Sequence, residues 1–470
     1  MTYSYKEEVQ KHFEAIAYDH DRWRQRNRYY YRDIERLCRF LIPPRSRVLE
    51  IGSGDGDLLA SVEPAVGVGV DLSPSMVTLA RERHPHLQFF CQDAERLELD
   101  GPFDYILLVG VLGYLADIQT VLAGLAPLCH PRTRIIAVFH NYLWEPVLRL
   151  GERIGERVPQ PAQNWVSDSD LRNLCEVTGF EVVKQGNRLL LPRHLPGSDW
   201  VNRYLARLPV LHHLCLTQYM VARPVLVPAA NPSCSVVIPA RNEAGNIRAA
   251  IERMPRLGSH TEILFVEGHS SDDTWAVIEQ VRREFGHSWD IKALKQPGKG
   301  KADAVRTAFE QAGGDILIIL DADLTVPPED LPKFYDVIAS GRGEFVNGSR
   351  LVYPRSRSAM PWLNTLANKF FSIVFSYLLD QRLKDTLCGT KVLRRDDYRK
   401  IAEGRVYFGD FDPFGDFDLL FGAAKLSLRI VEVPIRYRPR TYGQSNIQHF
   451  KEGLVLLRMC LFASQKIKFN

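Results

Sequence analysis

The sequence predicts an α/β protein of two domains, each built on a doubly wound sheet. In both halves, short apolar runs alternate with amphipathic stretches, a pattern typical of a parallel sheet covered by helices on both faces. The chain has 470 residues, more than one hydrophobic core usually supports. A stretch rich in proline and small residues, VARPVLVPAANPSC, interrupts the alternation at residues 221–234. We therefore predict one domain over residues 1–228 and a second over residues 229–470.

The composition is that of a globular protein and excludes several classes. Hydrophobic residues make up 45% and charged residues 25%, and a net charge of +4 is too small to indicate a nucleic-acid partner. The eight cysteines form no C-x-x-C pair, which argues against a zinc site or a disulfide framework and suits a reducing compartment. The sequence shows no secretory segment and no apolar run long enough to span a bilayer. We expect a cytoplasmic protein, peripheral on the inner face of the cell membrane.

The first domain contains a glycine loop directly after its first strand. The stretch VLEIGSGDGDLL places Gly52, Gly54 and Gly56 where an apolar strand ends. Glycine lets the backbone approach a ligand closely. A lone G-x-G-x-x-G would indicate a nicotinamide or flavin cofactor, but Asp57 occupies the position of the third glycine. Its charge would repel a pyrophosphate at the helix start, so a different cofactor is favoured.

Three acidic residues follow the first three strands of this domain. Glu50 lies near the end of the first strand, Asp71 ends the second, and Asp93 follows the third. A carboxylate about 20 residues beyond a glycine loop can accept both hydroxyls of a ribose. Any one of these acids could instead simply cap a helix. Three acids in register with one glycine loop favour cofactor binding.

This series resembles the class I S-adenosylmethionine-dependent methyltransferases, over residues 48–183. The resemblance rests on the glycine loop, the two later aspartates and the stretch DYILLVGVLGYL. It implies a Rossmann-like fold and S-adenosyl-L-methionine as cofactor, with Glu50 and the loop at the methionine portion, Asp71 at the ribose and Asp93 with Ala94 at the adenine. The implied cofactor-binding residues are Glu50, Gly52, Ser53, Gly54, Asp71, Leu72, Asp93, Ala94 and Val109.

The methyl acceptor is less well indicated. His140 and Asn141 end the strand RIIAVFHN at the ligand edge, and His140 could act as a base or could be a satisfied edge histidine. The aromatic block RNRYYY (residues 26–31) could cover the acceptor or could pack on the sheet.

In the second domain, the stretch ILIILDADL ends a buried strand in Asp321 and Asp323. Two carboxylates this close repel each other unless a cation neutralises them. Mg²⁺ or Mn²⁺, which prefer hard oxygen ligands, would bridge them to a diphosphate. Two other strands lead to polar residues: the strand in VVIPARNE ends in Pro239 and passes into a polar turn, and the strand in EILFVEG ends in Glu267. The sequence therefore predicts a second ligand site at the strand ends.

Residues 235–468 resemble the inverting family 2 glycosyltransferases, and among them the polyprenyl-phosphate (dolichyl-phosphate-mannose-like) sugar transferases. The motifs are VVIPARNE, GKGKADAV, DADL, VNGSRL, DTLCGTKVL and EVPIRYRPRTYGQSN. The resemblance implies a GT-A-type fold, a nucleotide-sugar donor, a metal held by Asp321 and Asp323, and Arg440 closing on phosphate. Glu267-Gly268-His269-Ser270 replaces the usual D-D-G-S, which leaves the nucleobase open. The implied substrate-binding residues are Pro239, Ala240, Asn242, Glu243, Glu267, Asp303, Asp321, Ala322 and Arg440.

The resemblance places the catalytic acid at Asp418, with Asp416 as a close alternative and Asp323 acting with the metal. Asp418 would orient a lipid phosphate, which is already a nucleophile, or act as general base toward a hydroxyl. Alternatively, Asp416 and Asp418 have a structural role, as acidic residues at the start of a helix that its dipole stabilises.

Two apolar stretches suit a membrane surface. Residues 361–379 carry polar side chains at intervals of four on an otherwise apolar helix, and KEGLVLLRMCLFASQKIKF near the carboxyl terminus ends in lysines. We expect Phe371 and Phe375 to contact lipid, although helices buried in protein would show a similar pattern.

The sequence thus predicts a bifunctional enzyme. Its glycosyltransferase domain would use a nucleotide sugar and a polyprenyl-phosphate or other glycolipid acceptor, and its methyltransferase domain would serve the same cell-envelope glycan or glycolipid pathway. Alternatively, the first domain is a non-catalytic cofactor-binding or docking module.

Overall fold

The computed structural model describes residues 2–17, 20–225, 231–350, 352, 362–408, 415–436, 438, 440, 442 and 449–469. Two compact units, essentially Met1–Leu226 and Val227–Lys468, account for the chain. Each contains one seven-stranded mixed sheet.

The first unit has the strand order β3-β2-β1-β4-β5-β7-β6. Its apolar strands are β1 Arg47–Ile51, β2 Val66–Asp71, β3 Gln88–Cys91, β4 Phe103–Val109, β5 Cys129–His140, β6 Phe180–Arg188 and β7 Thr217–Pro224. The helices are α1 Thr2–Ala17, α2 His20–Arg26, α3 Arg28–Leu41, α4 Asp57–Ser61, α5 Pro74–Arg83, α6 Ile118–Leu125, α7 Glu145–Arg153, α8 Asp168–Val177 and α9 Ser198–Arg203.

Strand β7 departs from the expected parallel sheet. It lies antiparallel between β5 and β6, and every one of its residues is buried. The stretch that the sequence suggests as a linker therefore begins inside a central strand, with Pro224 as the last strand residue. Proline is compatible with a strand end because it removes a donor where pairing stops.

The second unit has the strand order β10-β9-β8-β11-β13-β12-β14, with β13 antiparallel to both of its neighbours. The strands are β8 Cys234–Ala240, β9 Thr261–Glu267, β10 Asp290–Lys295, β11 Ile316–Ile319, β12 Phe345–Ser349, β13 Lys391–Arg394 and β14 Ile430–Pro434. The helices are α10 Ala244–Glu252, α11 Thr274–Phe285, α12 Lys301–Gln311, α13 Leu331–Ala339, α14 Trp362–Leu379, α15 Arg395–Glu403, α16 Arg405–Phe408, α17 Asp416–Lys425 and α18 His449–Ala463.

Both sheets position their polar residues by the same rule. In the first unit β1, β2, β3 and β4 are parallel, and in the second β8, β9 and β11 are parallel. The carboxyl ends of parallel strands meet at one edge, where ligands bind in open α/β sheets. In each unit, the loops that the sequence predicts to bind ligands therefore lie at one edge of the sheet.

Helix α14 corrects the expected orientation of the apolar stretch at residues 361–379. Phe371 and Phe375 are buried, and the Phe375 ring packs 5.3 Å from Phe417. The polar stripe also faces inward, because the Asn368 amide donates to the buried Asp385 carboxylate at 3.0 Å. The expectation that Phe371 and Phe375 contact lipid is therefore wrong. Among the residues of this helix whose burial the structure describes, 367–379, Ile373 is the most exposed apolar residue.

Candidate active sites

The glycine loop of the first unit surrounds open space at the sheet edge. Gly52, Gly54 and Gly56 have φ of +74°, +52° and +78°, a conformation that other residues adopt only with strain. A side chain at Gly52 would collide with Val111, whereas nothing lies within 4 Å of the position where a Cβ of Gly54 would be. The loop therefore leaves open space beside its backbone at Gly54.

Asp71 fixes the shape of this loop. One carboxylate oxygen accepts a hydrogen bond from the Gly54 N–H and the other from the Ser73 N–H, each at 2.9 Å. The structure therefore gives Asp71 a positioning role that the sequence did not indicate. The last residue of β4, Val109, and Leu72, which follows β2, lie at the same edge.

Glu50 is a buried carboxylate directed toward this edge, and its side chain is only partly satisfied. The residue is 2% exposed, and neither its Oε2 nor the buried Ser53 Oγ has a hydrogen-bond partner among the described residues. Burial, together with the Asp55 and Asp71 carboxylates, raises the pKa of Glu50 well above its usual range. The unpartnered oxygens of the Glu50 carboxyl and the Ser53 hydroxyl, beside a bare glycine loop, fit a polar ligand such as S-adenosyl-L-methionine, whose positive charge would favour the ionised form of Glu50.

We predict that Glu50→Gln stabilises the first domain at neutral pH. A raised pKa means that the folded domain holds a proton that the unfolded chain releases, so stability falls as pH rises from the usual glutamate range through the folded pKa. Glutamine removes this loss. At neutral pH, scanning calorimetry should show that the variant melts about 2–4 °C higher than the parent for each kcal/mol gained in the free energy of unfolding. Near pH 5 the difference in melting temperature should be smaller. An equal gain at every pH would contradict the assignment of the proton to Glu50.

The structure pairs Asp93 with a residue that the sequence did not indicate. The Lys6 ammonium on α1 lies 2.6 Å from Asp93 and 2.7 Å from Glu95, and the other oxygen of Asp93 accepts from the Glu95 N–H at 3.0 Å. Asp93 is thus engaged within the protein, and α1 is tied to the loop that leads to Ala94. No motif in the polar amino-terminal stretch indicated Lys6, because the pairing joins residues far apart in sequence.

A cavity opens between the ends of β4 and β5. His140 lies in its wall, and its Nε2 is 3.1 Å from the Tyr30 hydroxyl of α3. Burial lowers the pKa of His140 to about 4 and raises the pKa of Tyr30, so the imidazole is neutral and the phenol protonated at physiological pH. Tyr30 of the aromatic block therefore packs against the end of β5 beside this cavity. The cavity is lined by Gly110, Leu112, Gly113, Tyr114, Phe139, His140, Gln163, Asn164, Trp165 and Val166.

The side chain of Asn141, the residue after His140, is hydrogen-bonded to backbone groups of the protein. Its amide donates to the carbonyls of His213 and Cys215 at 2.8 Å and 3.0 Å, and its oxygen accepts from the Leu143 N–H. These bonds hold the chain where β5 leaves the sheet.

The second unit gathers the predicted nucleoside-binding residues at the ends of β8 and β9. Ala240 pairs in register with Glu267, and Pro239 precedes it on β8. The Asn242 Oδ1 accepts from the Ser271 N–H at 2.8 Å, and Glu267 accepts from the Ser270 N–H. The first of these bonds joins the loops after β8 and β9, and the second lies within the loop after β9.

The paired aspartates are neutralised by side chains of the protein. The Lys301 ammonium lies 2.7 Å from Asp321, and the Arg440 guanidinium lies 2.8 Å from Asp323. Burial opposes ionisation of Asp321, yet Lys301, Lys391 and Arg350 hold its pKa below the usual range. Metal and nucleotide are therefore not required to relieve the repulsion, contrary to the reasoning from sequence. The carboxylate oxygens remain suitable donors for Mg²⁺ or Mn²⁺ once Arg440 leaves Asp323.

Arg440 joins two parts of the predicted site. It lies 3.1 Å from the Glu243 carboxylate as well as beside Asp323. Tyr442 packs where a side chain of Gly245, in the first turn of α10, would otherwise lie. The segment of Arg440 and Tyr442 thus covers the strand ends.

The positions of the Asp303 and Asp321 carboxylates require glycine at two neighbouring sites, Gly298 and Gly389. Asp303 accepts from the Gly298 N–H at 2.8 Å, and a Cβ at Gly298 would overlap its carboxylate. A Cβ at Gly389 would overlap both Asp321 and Lys301. Ala322, between the paired aspartates, is buried.

Asp418 is held by two arginines. Near the start of α17, it is 3% exposed and lies 2.8 Å from Arg405 and 3.3 Å from Arg306 of α12. The described contacts connect it to α12, which also carries Lys301 and Asp303, but not directly to Asp321 or Asp323. The side chain of Asp416 lies outside the described residues.

The two units define a two-domain α/β protein with polar residues at the ends of parallel strands, and comparisons match a known family to part of each unit. The family model Glycosyl transferase family 2 matches residues 235–402, and the model Methyltransferase domain matches residues 22–185. The chain therefore contains a methyltransferase domain at residues 22–185, followed by a glycosyl transferase family 2 domain at residues 235–402.

Individual known proteins are similar to parts of this chain. The chain is 30% identical over 222 residues to the dolichol-phosphate mannosyltransferase of Pyrococcus furiosus, covering 46% of this chain and 59% of that protein, so it spans about three fifths of that relative. It is 29% identical over 221 residues to the dolichyl-phosphate hexose transferase of Haloferax volcanii, covering 46% of this chain and 88% of that protein. A solved S-adenosylmethionine-dependent methyltransferase of Thermotoga maritima is 21% identical, with a TM-score of 0.37, covering 46% of this chain and 99% of that one.

Proposed function

We propose that the second domain transfers a sugar, with inversion, from a nucleotide sugar to a polyprenyl-phosphate or other lipid-linked acceptor. The observation that carries this proposal is the convergence of Glu243, Asp323 and Arg440 beside the Asp321–Lys301 pair at one sheet edge. Carboxylates and movable cations around a loop edge suit a nucleoside diphosphate. The similarity to a dolichol-phosphate mannosyltransferase and to a dolichyl-phosphate hexose transferase supports the acceptor class.

Different residues of the second domain would bind different parts of the nucleotide-sugar donor. Asn242, Glu243 and Glu267 would contact the nucleoside, together with Pro239, Ala240 and Asp303. Asp321 and Asp323 would hold Mg²⁺ or Mn²⁺, which supplies positive charge to the departing diphosphate. Arg440 would exchange Asp323 for a phosphate and offer it two parallel N–H groups.

Asp418 would act on the acceptor side. Arg306 and Arg405 keep its carboxylate in an ionic network, which suits a residue that orients a nucleophile rather than one that removes a proton. A lipid phosphate is already anionic and requires no general base. Asp416, the first residue of α17, is the alternative.

We further propose that the first domain binds S-adenosyl-L-methionine at its glycine loop and transfers the methyl group to an acceptor in the cavity beside His140. The neutral imidazole could accept a proton from such an acceptor. Both activities would serve one cell-envelope glycan or glycolipid pathway. If the first domain is a non-catalytic module, cofactor binding can persist without methyl transfer.

Ligand binding to the full chain tests both assignments. A panel of nucleotide sugars with Mg²⁺ or Mn²⁺ should contain at least one donor that raises a melting transition, because a ligand that binds only the folded state stabilises it. S-adenosyl-L-methionine should bind independently, as measured by titration calorimetry. No binding at millimolar concentration would reject the corresponding domain's assignment.

We also propose peripheral contact with the inner face of the cell membrane through α14 and α18, which pack together. Phe370 and Ile373 on α14, and Leu457 and Leu461 on α18, are exposed. Lys369, next to them, would meet anionic headgroups. Among the described helices none is long and apolar enough to cross a bilayer.

The double variant Phe370→Ser/Ile373→Ser should bind anionic vesicles about fivefold more weakly, because two apolar side chains no longer enter the interface. Its melting temperature should stay unchanged. Phe375→Ser on the same helix is the matched contrast: it should lower the melting temperature, since the ring is buried against Phe417. Flotation with vesicles and thermal melting separate these effects. Equal vesicle binding of the double variant and the parent would remove this surface from the proposal.

A further inference from the structure

Helix α7 of the methyltransferase domain buries none of its residues. Val147, Leu150 and Ile154, which follows the last helical residue, are 54%, 56% and 65% exposed. Leu143, in the short turn before the helix, is exposed as well. Residues spaced by three and four positions lie on one side of a helix, so these side chains form a continuous apolar stripe that the described residues leave uncovered.

The charges of α7 are arranged around this stripe. By helical geometry, Glu145 and Glu152 lie on the opposite side, and each is paired with an arginine: Glu145 with Arg149 at 2.5 Å and Glu152 with Arg157 at 2.7 Å. Arg153 flanks the stripe, is exposed, and has no carboxylate partner among the described residues. The two acidic residues of α7 therefore lie away from the stripe and are each paired with an arginine, whereas the cation Arg153 lies at the border of the stripe.

The apolar surface continues beyond α7. The Trp144 indole donates to the Leu214 carbonyl at 2.8 Å, which joins the start of α7 to the short turn Leu211–Leu214. Exposed Val210 and Leu214 extend the apolar area there, and exposed Trp200 and Tyr204 lie on the preceding segment. Tryptophan and tyrosine beside aliphatic residues and arginine are typical of surfaces that lie at the membrane–water interface.

This surface begins where the predicted acceptor site ends. His140 lines the acceptor cavity and is the last residue of β5, and Asn141 and the turn Tyr142–Trp144 lead directly into α7. A lipid surface that touched the stripe would therefore lie beside the entrance through which an acceptor reaches His140.

We infer that the methyltransferase domain docks on an anionic membrane through the α7 stripe, independently of α14 and α18, and takes its methyl acceptor from lipid-linked molecules. The acceptor class rests on the proposed function, whereas the docking itself does not. The charge arrangement favours lipid over a protein partner, because an exposed arginine borders the stripe and the nearby acids are already paired.

A fluorescent label at the stripe tests this directly in the full chain. Leu150→Cys, in a Cys91→Ser background that removes an exposed thiol, carries an environment-sensitive dye. Val177→Cys provides the matched control: it is equally exposed but precedes β6 at the opposite edge of the sheet. Vesicles of phosphatidylglycerol and phosphatidylcholine should raise the emission at position 150 about threefold and leave that at position 177 unchanged.

The triple variant Val147→Ser/Leu150→Ser/Ile154→Ser should bind the same vesicles about tenfold more weakly with an unchanged melting temperature. If vesicles bind the chain but the label at position 150 does not respond, docking through α7 is wrong while the proposed glycosyltransferase surface stands. If the label responds to protein concentration without vesicles, the stripe is an interface between copies of the chain and membrane docking is overturned.

Discussion

Asp323→Asn is expected to reduce sugar transfer at least about 100-fold, because it removes one anionic ligand of the proposed metal–diphosphate site while keeping nearly the same shape. It also removes the ion pair that holds Arg440 at the strand ends. Donor binding in the presence of Mn²⁺ should fall together with transfer. Product formation and donor affinity are to be measured on the same preparation.

The same variant should remain folded. Asparagine can still accept from the Thr325 N–H and hydroxyl at the Oδ1 position, and the lost Arg440 pair is partly exposed, so the cost should stay within about 1 kcal/mol. Asp396→Asn, an exposed carboxylate on α15, is the control and should leave both transfer and stability unchanged. A marked loss of stability, with donor affinity per folded molecule unchanged, would show that Asp323 is structural.

Asp71→Asn is expected to weaken S-adenosyl-L-methionine binding by roughly 10- to 100-fold. Both oxygens of Asp71 accept backbone N–H groups, from Gly54 and Ser73, and an amide can accept only one of them. The glycine loop should therefore lose its shape. Titration calorimetry on the full chain measures the effect, and sugar transfer should continue because the two sites lie in different units.

Glu176→Gln, at an exposed position of α8, is the matched control for this variant and should bind the cofactor like the parent. Cofactor affinity unchanged in Asp71→Asn would contradict the placement of the cofactor at the glycine loop.

The sequence predicted both sites because their signals are local. A strand that ends in glycines or acids can be recognised within a dozen residues, and parallel pairing then brings such ends to one edge. Gly52, Asp71, Glu267 and Asp321 were found in this way.

The carboxylate partners of the cations in the two sites could not be predicted, because the partners come from distant segments. Lys6 reaches Asp93 across 87 positions of the sequence and Arg440 reaches Glu243 across 197. No periodic pattern encodes such pairs. The expectation that a metal must neutralise Asp321 and Asp323 was wrong for this reason, since Lys301 and Arg440 already do so.

The sequence of α14 also could not predict which face of this helix is buried. An amphipathic pattern shows that a helix has two faces but not which one turns inward when its partner is polar. Here the buried Asp385 and the Leu383 carbonyl accept from Asn368 and Ser376, so the polar face is the inner one. Burying these groups together satisfies hydrogen bonds that would otherwise be lost.

The most direct test of the central proposal is transfer of radiolabelled sugar from a panel of nucleotide sugars to polyprenyl phosphate by the full chain, read in the organic phase. We predict a labelled lipid with at least one donor for the parent chain and for Asp71→Asn, and almost none for Asp323→Asn. No labelled lipid with any donor, or equal labelling by the parent and Asp323→Asn, would contradict the proposal.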